Sequence, residues 1–431
     1  MMTRWFTDVR AFRRDPLELL SEKALGSDAP LVRLALGPTP VYLVNDPSLI
    51  KPLMKLSEDV LDKGRLVKKI SNVVGESSLT LSGEEHRKRR AILHERLSRG
   101  VANTYVGEMA AAIRVVAAEL ASEGTFRADI LGGTLALKLA SVALFGSRVL
   151  SSGDELAIMS AFHVLEGGLQ DDMFRFLPRS PWRYASDSRK RRDALKTMDI
   201  VIRKVTQAAS DSSVLVALRE AGLSDEQIRN ELTTMIIAGF HTTGAAVAWL
   251  CFYLATRPLE LEQIRNEHAS ICDEFGELDP KRLGEAKVSL AFVKEVLRLY
   301  PSAWWLTREL KQDHVIGGET LAKGASLIIA PWVYHRSSRY FSSPDEFSLD
   351  REHSGQAYLP FGAGARACVG MGVSLLELHL VALEFASTFD FSALGDPRLV
   401  KPKAGITLNA PEMSLGVSLR GIAPNGLREA A

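Results

Sequence analysis

Tyr358-Leu359-Pro360-Phe361-Gly362-Ala363-Gly364-Ala365-Arg366-Ala367-Cys368-Val369-Gly370 is the stretch on which the reading of this chain turns. A cysteine ahead of an apolar run, taken alone, is most often a small buried hydrophobe. The surroundings of Cys368 argue for more. The glycines of the loop let the backbone approach a flat ligand closely, where any Cβ would collide. Cys368 also precedes an expected helix at 370–388. The first amide N–H groups of that helix have no intrahelical partners and favour a thiolate at the sulfur. Arg366, two residues earlier, is a fixed cation suited to a carboxylate partner.

Upstream, the longest apolar pattern predicts a helix over 225–256. Ser224 with Gln227 forms a capping-box signature, and Arg257-Pro258 supplies the stop. Residues 235–255 are apolar enough to raise a membrane span. His241, Thr242, Thr243 and Gly244 interrupt that run, so a buried central helix is the expectation. Helical periodicity also predicts helices at 86–99, 103–122, 135–145, 187–210, 259–274 and 284–299. Strand signals fall at 31–36, 41–44, 314–316, 319–321 and 325–329, with weaker ones at 406–408 and 415–419. The expected fold class is mainly α with small β-sheets (α+β), as one catalytic domain over 1–431. It would be β-rich at about 31–80, 313–330 and 400–420, and helical at about 84–300 and 370–388.

Composition narrows the class. Hydrophobic residues at 46% and charged residues at 24% of 431 residues give material for a large core in a globular protein. A net charge of +1 argues against a nucleic-acid binder. The basic clusters Arg87-Lys88-Arg89-Arg90 and Arg189-Lys190-Arg191-Arg192 read as solvated helix faces. Cys251, Cys272 and Cys368 are too few for a disulfide scaffold, which points to a reducing, cytoplasmic setting. The N-terminal stretch has charges throughout, so neither a signal peptide nor a membrane anchor is expected there.

The pattern Phe361-x-x-Gly364-x-Arg366-x-Cys368-x-Gly370 matches, at every fixed position, the haem-binding signature of the cytochrome P450 superfamily. Over roughly 31–419 the chain resembles a soluble, bacterial-type member. The resemblance implies that Cys368 is the axial ligand of haem b (iron protoporphyrin IX). It also implies that Arg366 pairs with a haem propionate and that Phe361 packs beside the sulfur. Glu295 and Arg298, spaced to share a helix face, resemble the family's Glu-x-x-Arg pair, completed by Arg351 in a Pro-x-x-Phe-x-x-x-Arg stretch beginning at Pro344. That triad is expected to hold the cysteine loop in place rather than to do chemistry. His86 and Arg90 match a His-x-x-x-Arg pair that faces the propionates, although Glu84 and Glu85 stand where a Trp is often found. Arg308 matches a further propionate partner. Buried propionates need such cations.

Ala238-Gly239-Phe240-His241-Thr242-Thr243 resembles the family's oxygen-activation motif. Gly239 makes room for O2, the expected co-substrate, and the Thr242 hydroxyl can donate and accept, steadying bound oxygen and passing protons. The competing reading of Thr242 is simple back-bonding to its own helix. His241 stands where most members carry Asp or Glu; a His occurs at this place in the sterol-demethylase branch. It can carry a proton but supplies no fixed negative charge. Either His241 is the entry of the proton relay, or it is only packed and solvent delivers protons directly.

By resemblance the pocket walls fall at 66–78, 162–176, 303–306 and 412–414, with Ala238, Trp305 and Met413 as named candidates. Trp304-Trp305 and the scarcity of charge in 162–169 suggest a lipophilic substrate such as a terpenoid, steroid or fatty compound. With no flavin or iron–sulfur segment in the sequence, electrons would come from a separate ferredoxin and ferredoxin reductase, docking near the Cys368 loop. The leading expectation is insertion of one atom of O2 into a C–H bond. Peroxide-driven or non-oxygenating haem-thiolate activity, and a haem-based ligand sensor, remain as alternatives.

Overall fold

Ser224 opens the longest helix of the protein. Its hydroxyl accepts from the Gln227 amide, and the Gln227 side chain accepts from the Ser224 amide, satisfying two orphan donors reciprocally. In the computed structural model, which describes residues 7–146, 150–174, 181–208 and 213–420, this central helix runs unbroken over Asp225–Thr256. Its 32 residues make a rod of about 48 Å. Every residue from Thr243 to Leu254 is buried, as an all-round apolar surface requires.

Two other apolar helices pack on it. Ala128–Phe145 crosses it at a pair of glycines, where a Cβ on Gly132 would overlap the carbonyl oxygen of Gly244. Met371–Thr388, the helix leaving the cysteine loop, meets it where Thr243 Oγ1 lies 3.2 Å from Ser374 Oγ. All three are long and apolar enough to cross a membrane, yet 67–72% of their most apolar windows is buried inside the protein. Their apolar faces are satisfied by one another.

The strands gather elsewhere. A five-stranded sheet has the order Leu31–Leu34, Val41–Val44, Ser326–Ile329, Leu306–Leu310, Leu61–Asp62, with only the Val41–Val44/Ser326–Ile329 pair parallel. Beneath it lies a second hydrophobic cluster that includes Leu43, Trp304, Leu327 and Tyr334. Thr125–Arg127, Ser414–Leu419 and Phe389–Ala393 form a three-stranded sheet.

The sequence expectations differ from this fold in instructive places. The helix Ser152–Phe174 was not anticipated, because Gly153, Gly167 and Gly168 look like breaks. Its start signal is nonetheless present: Ser151 and Asp154 exchange backbone and side-chain hydrogen bonds at 3.0 and 3.2 Å. Residues 31–80 are not uniformly β-rich, since Arg65–Val74 is helical. Residues 406–408 are mostly the turn joining Lys403–Ala404 to Leu408–Asn409 rather than a strand. The helix beginning at Pro181 extends to Ala208; its expected last residues, 209–210, lie outside the described residues.

Candidate active site

The cysteine loop is held by its own backbone. Gly364–Arg366 form a 3-10 turn, and the Cys368 amide donates to the Phe361 carbonyl at 2.8 Å. Gly362 and Gly364 have φ of +69° and +68°, a left-handed conformation that favours glycine. A Cβ on Gly364 would also stand 2.6 Å from Met54 Cβ. Turn geometry therefore calls for both glycines, and packing on Met54 calls for Gly364 a second time. Cys368 lies deep in the protein, and burial pushes its thiol up against the opposing pull of the Gly370 amide and Arg90. Its side chain is nevertheless exposed. Only a place on the wall of an internal space reconciles the two.

Cations converge beside this loop. Arg366 pairs with Glu58 and donates to the Leu81 carbonyl at 3.0 Å. Arg90 donates to the Ala367 carbonyl. Arg308 donates to the Thr307 carbonyl at 2.8 Å and touches Met54 Sδ. His86 is buried, and its Nε2 has no hydrogen-bond partner. Lys63, which sequence reasoning missed, joins the group and donates to the carbonyls of Leu79 and Leu81. Burial first, and then the neighbouring Arg366, lowers Lys63 to about 7, His86 to about 4 and Arg308 to about 10. A like-charged cluster of this kind is relieved by carboxylates.

On the central helix, Ala238 is exposed and Thr242 half-buried although the helix lies inside the molecule, so this face too borders open space. Thr242 Oγ1 donates to the Ala238 carbonyl at 2.7 Å. The back-bond raised as the competing reading therefore exists, and it leaves the hydroxyl's lone pairs as acceptors toward the open side. Ser302 Oγ donates to the Thr242 carbonyl at 2.8 Å. Gly239, next to Ala238 and three residues before Thr242, faces the helix Ala128–Phe145, where an added Cβ would meet Ala140 Cβ at 3.4 Å.

His241 points elsewhere. Its Nε2 is 2.9 Å from Glu166 Oε1 and 2.8 Å from Thr407 Oγ1. The Thr407 hydroxyl donates to Asn409 Oδ1 at 2.8 Å, so it must accept from His241, and Nε2 carries the proton. The stretch read as poor in charge thus supplies the carboxylate Glu166. A cavity of about 450 Å³ opens here, lined by Glu166, Phe162, His241, Gly244, Ala248 and Asn409 among others. On the helical wheel this flank lies roughly 110° from the Ala238–Thr242 face.

Glu295, Arg298 and Arg351 come together as expected, with an unexpected fourth member. Arg298 grips Glu295 through two contacts of 2.8 Å, Arg351 Nε donates to it at 3.0 Å and His353 Nε2 lies 2.8 Å away. These partners overcome burial and hold the Glu295 carboxyl down to about 2. The link to the cysteine loop runs through His335. Its Nδ1 lies 2.9 Å from the Arg298 carbonyl, and its Nε2 accepts from the Leu359 amide at 2.8 Å. That assigns the neutral tautomer with the proton on Nδ1, and burial keeps this ring at about 3.

The pocket expectations fare less well. Met413 is packed into the main core, and its neighbour Glu412 lines the cavity instead. Trp305 stacks on the fully buried Trp304, with ring centroids 5.1 Å apart, and also packs near Phe12, which accounts for it as packing. The side chains of residues 171–176 lie outside the described residues.

Haem fits what is present. The site offers a thiol on an internal wall, an uncrowded helix face, a crowd of cations and, beside them, a buried imidazole with an unpartnered nitrogen. A flat ligand bearing two carboxylates satisfies all of these.

A family model described as cytochrome P450 matches residues 19–417. Cyclooctatin synthase of Streptomyces melanosporofaciens is 27% identical, with 92% of this chain and 90% of that protein covered. Pentalenene oxygenase of Streptomyces avermitilis is 26% identical over 92% and 91%. Among solved structures, the cytochrome P450DA heme domain superposes with a TM-score of 0.82 at 23% identity, covering 94% of this chain and 93% of that one. CYP175A1 from Thermus thermophillus gives 0.77 at 24%, covering 95% and 97%. These likenesses to solved structures establish the fold, and the sequence-family match extends over nearly the whole chain. The protein belongs to the cytochrome P450 family, and it is a monooxygenase and hence an oxidoreductase.

Proposed function

We propose that this protein hydroxylates a lipophilic small molecule of the terpenoid class, using electrons from a separate ferredoxin and ferredoxin reductase in the cytoplasm. The observation that carries the reading is Cys368 on an internal wall beside Lys63, His86, Arg90, Arg308 and Arg366. Haem b, held by these residues, supplies the reductive activation of O2 and the transfer of one oxygen atom into a C–H bond. The cations would neutralise its two propionates, and Arg90 sits close enough to favour the Cys368 thiolate. The terpenoid class is favoured by the relatives named for pentalenene and for cyclooctat-9-en-7-ol, the latter a 5-monooxygenase at 26% identity. Substrate-dependent NADPH consumption with a reconstituted ferredoxin chain, screened over terpenoid hydrocarbons, tests the reading. Consumption that ignores every such compound would count against it.

His241 with Glu166 is the proton entry in this reading. The carboxylate that most members carry in the motif is here supplied by a second helix, and the pair borders a cavity that can hold water. Thr242, next along the chain, receives protons from the other side of the helix. His241→Ala and Glu166→Gln are each expected to raise the hydrogen peroxide released per electron consumed severalfold, because a positioned proton donor has been removed. Unchanged coupling in both variants would leave direct delivery by solvent as the explanation.

A further inference from the structure

The segment at 75–81 links the helix Arg65–Val74 to the basic helix Gly83–Arg96 and is pinned from two sides. On one side Lys63 and Arg366 donate to the carbonyls of Leu79 and Leu81. Both are cations that the proposed cofactor would engage, so those donors are shared once it binds. On the other side stands Glu231 of the central helix, fully buried. Its Oε1 accepts from the Ser78 amide at 2.7 Å, and its Oε2 accepts from the Ser78 hydroxyl at 2.9 Å. Arg89, also buried, bonds Glu231 at 3.3 Å and the Glu76 carbonyl at 3.1 Å through the same nitrogen. Within the strap, Thr80 Oγ1 accepts from the Ser77 amide and donates to the Gly75 carbonyl, so the turn moves as one piece. Asn230, beside Glu231, packs where a Cβ on Gly75 would sit.

The strap fixes the end of Arg65–Val74, a helix with Val67, Ile70 and Val73 half-buried at a spacing of three and packed toward the central helix and Ser152–Phe174. Its lipophilic face can hold a rigid wall only as well as its C-terminal end is held. We propose that Glu231 is a positioning residue for the lipophilic substrate: by gripping Ser78 and Arg89 it locks the 75–81 strap and with it the apolar face of Arg65–Val74. A buried carboxylate ten residues before His241 is thereby tied to pocket shape rather than to proton delivery. The inference rests on the haem-monooxygenase reading above.

The test compares haem-loaded wild type with Glu231→Ala, using imidazole and 1-dodecylimidazole as probes that both bind the haem but differ in whether they reach the wall. Amide hydrogen exchange at 75–81 should accelerate, and the dissociation constant of 1-dodecylimidazole should rise about tenfold, the scale of one lost charged hydrogen bond. Imidazole affinity and haem content should stay within about twofold. Glu231→Gln, which keeps an acceptor for Ser78, should recover most of the affinity. If Glu231→Ala does not fold, Glu231→Gln and Ser78→Ala carry the comparison, with smaller shifts in the same direction. Unchanged exchange at the strap, or equal weakening of both probes, overturns the proposal. A wild-type protein that takes up no haem would instead overturn the reading beneath it.

Discussion

Glu295→Ala is expected to leave little soluble protein and almost none that retains haem. The carboxylate has no exposed surface and accepts from Arg298, Arg351, His353 and the Ser348 amide. Removing it strands two guanidinium groups in a dry interior, and breaking a buried pair in this way costs about 3–5 kcal/mol. Linkage gives a similar figure. The folded carboxyl sits at about 2 against about 4.3 in an unfolded chain, a difference of about 3 kcal/mol at neutral pH. Because the folded value is the lower one, that stability is present above about pH 4.3 and is lost as pH falls toward 2. Arg298 also donates to the carbonyls of His335, Pro344 and Glu346, so its displacement loosens the path from His335 to Leu359 and the cysteine loop. Urea titrations of wild type and Glu295→Gln measure the effect. A difference below about 0.5 kcal/mol, the size of an ordinary surface change, would mean that the triad does not hold the loop.

Gly132→Val is expected to be nearly as damaging, and to damage activity before it destroys the fold. The added Cβ overlaps the Gly244 carbonyl. Neither partner at this contact is a flexible side chain that could swing aside, so the cost falls at or above the usual overpacking range of about 1–3 kcal/mol. Gly244 is two residues from Thr242, and the displaced helix carries both Thr242 and His241. Turnover should fall about a hundredfold in the protein that still folds, as misplacement by about 1 Å does elsewhere. Gly132→Ala should show the same trend more weakly. Wild-type turnover in Gly132→Val, at an unchanged melting temperature, would show that the two helices can separate freely.

Most of the fold was legible because its signals are local. The capping box at Ser224, the stop at Arg257-Pro258 and the all-round apolar run fix the central helix without reference to anything distant. The Phe361–Gly370 spacing did the same for the cysteine loop. Where expectations failed, the deciding contact lies far along the chain. Glu166 looks like an isolated charge until the fold brings it 2.9 Å from His241. Lys63 is held beside the cation cluster by the carbonyls of Leu79 and Leu81, within reach of the repelling charge of Arg366, and nothing in its sequence neighbours announces this. Met413 was a candidate by resemblance, but just ahead of Ser414–Leu419 it packs into the main core formed by distant helices. His353 lies two residues beyond Arg351, and only the buried Glu295 between the two elements reveals its role.

The absorption spectrum of the ferrous protein with carbon monoxide tests the central claim most directly. The haem-loaded wild type is expected to show the strongly red-shifted band of thiolate ligation. Cys251→Ser and Cys272→Ser should leave that band unchanged, and Cys368→Ser should abolish it. A wild-type spectrum without the shift, or a band that survives Cys368→Ser, would contradict the assignment of Cys368.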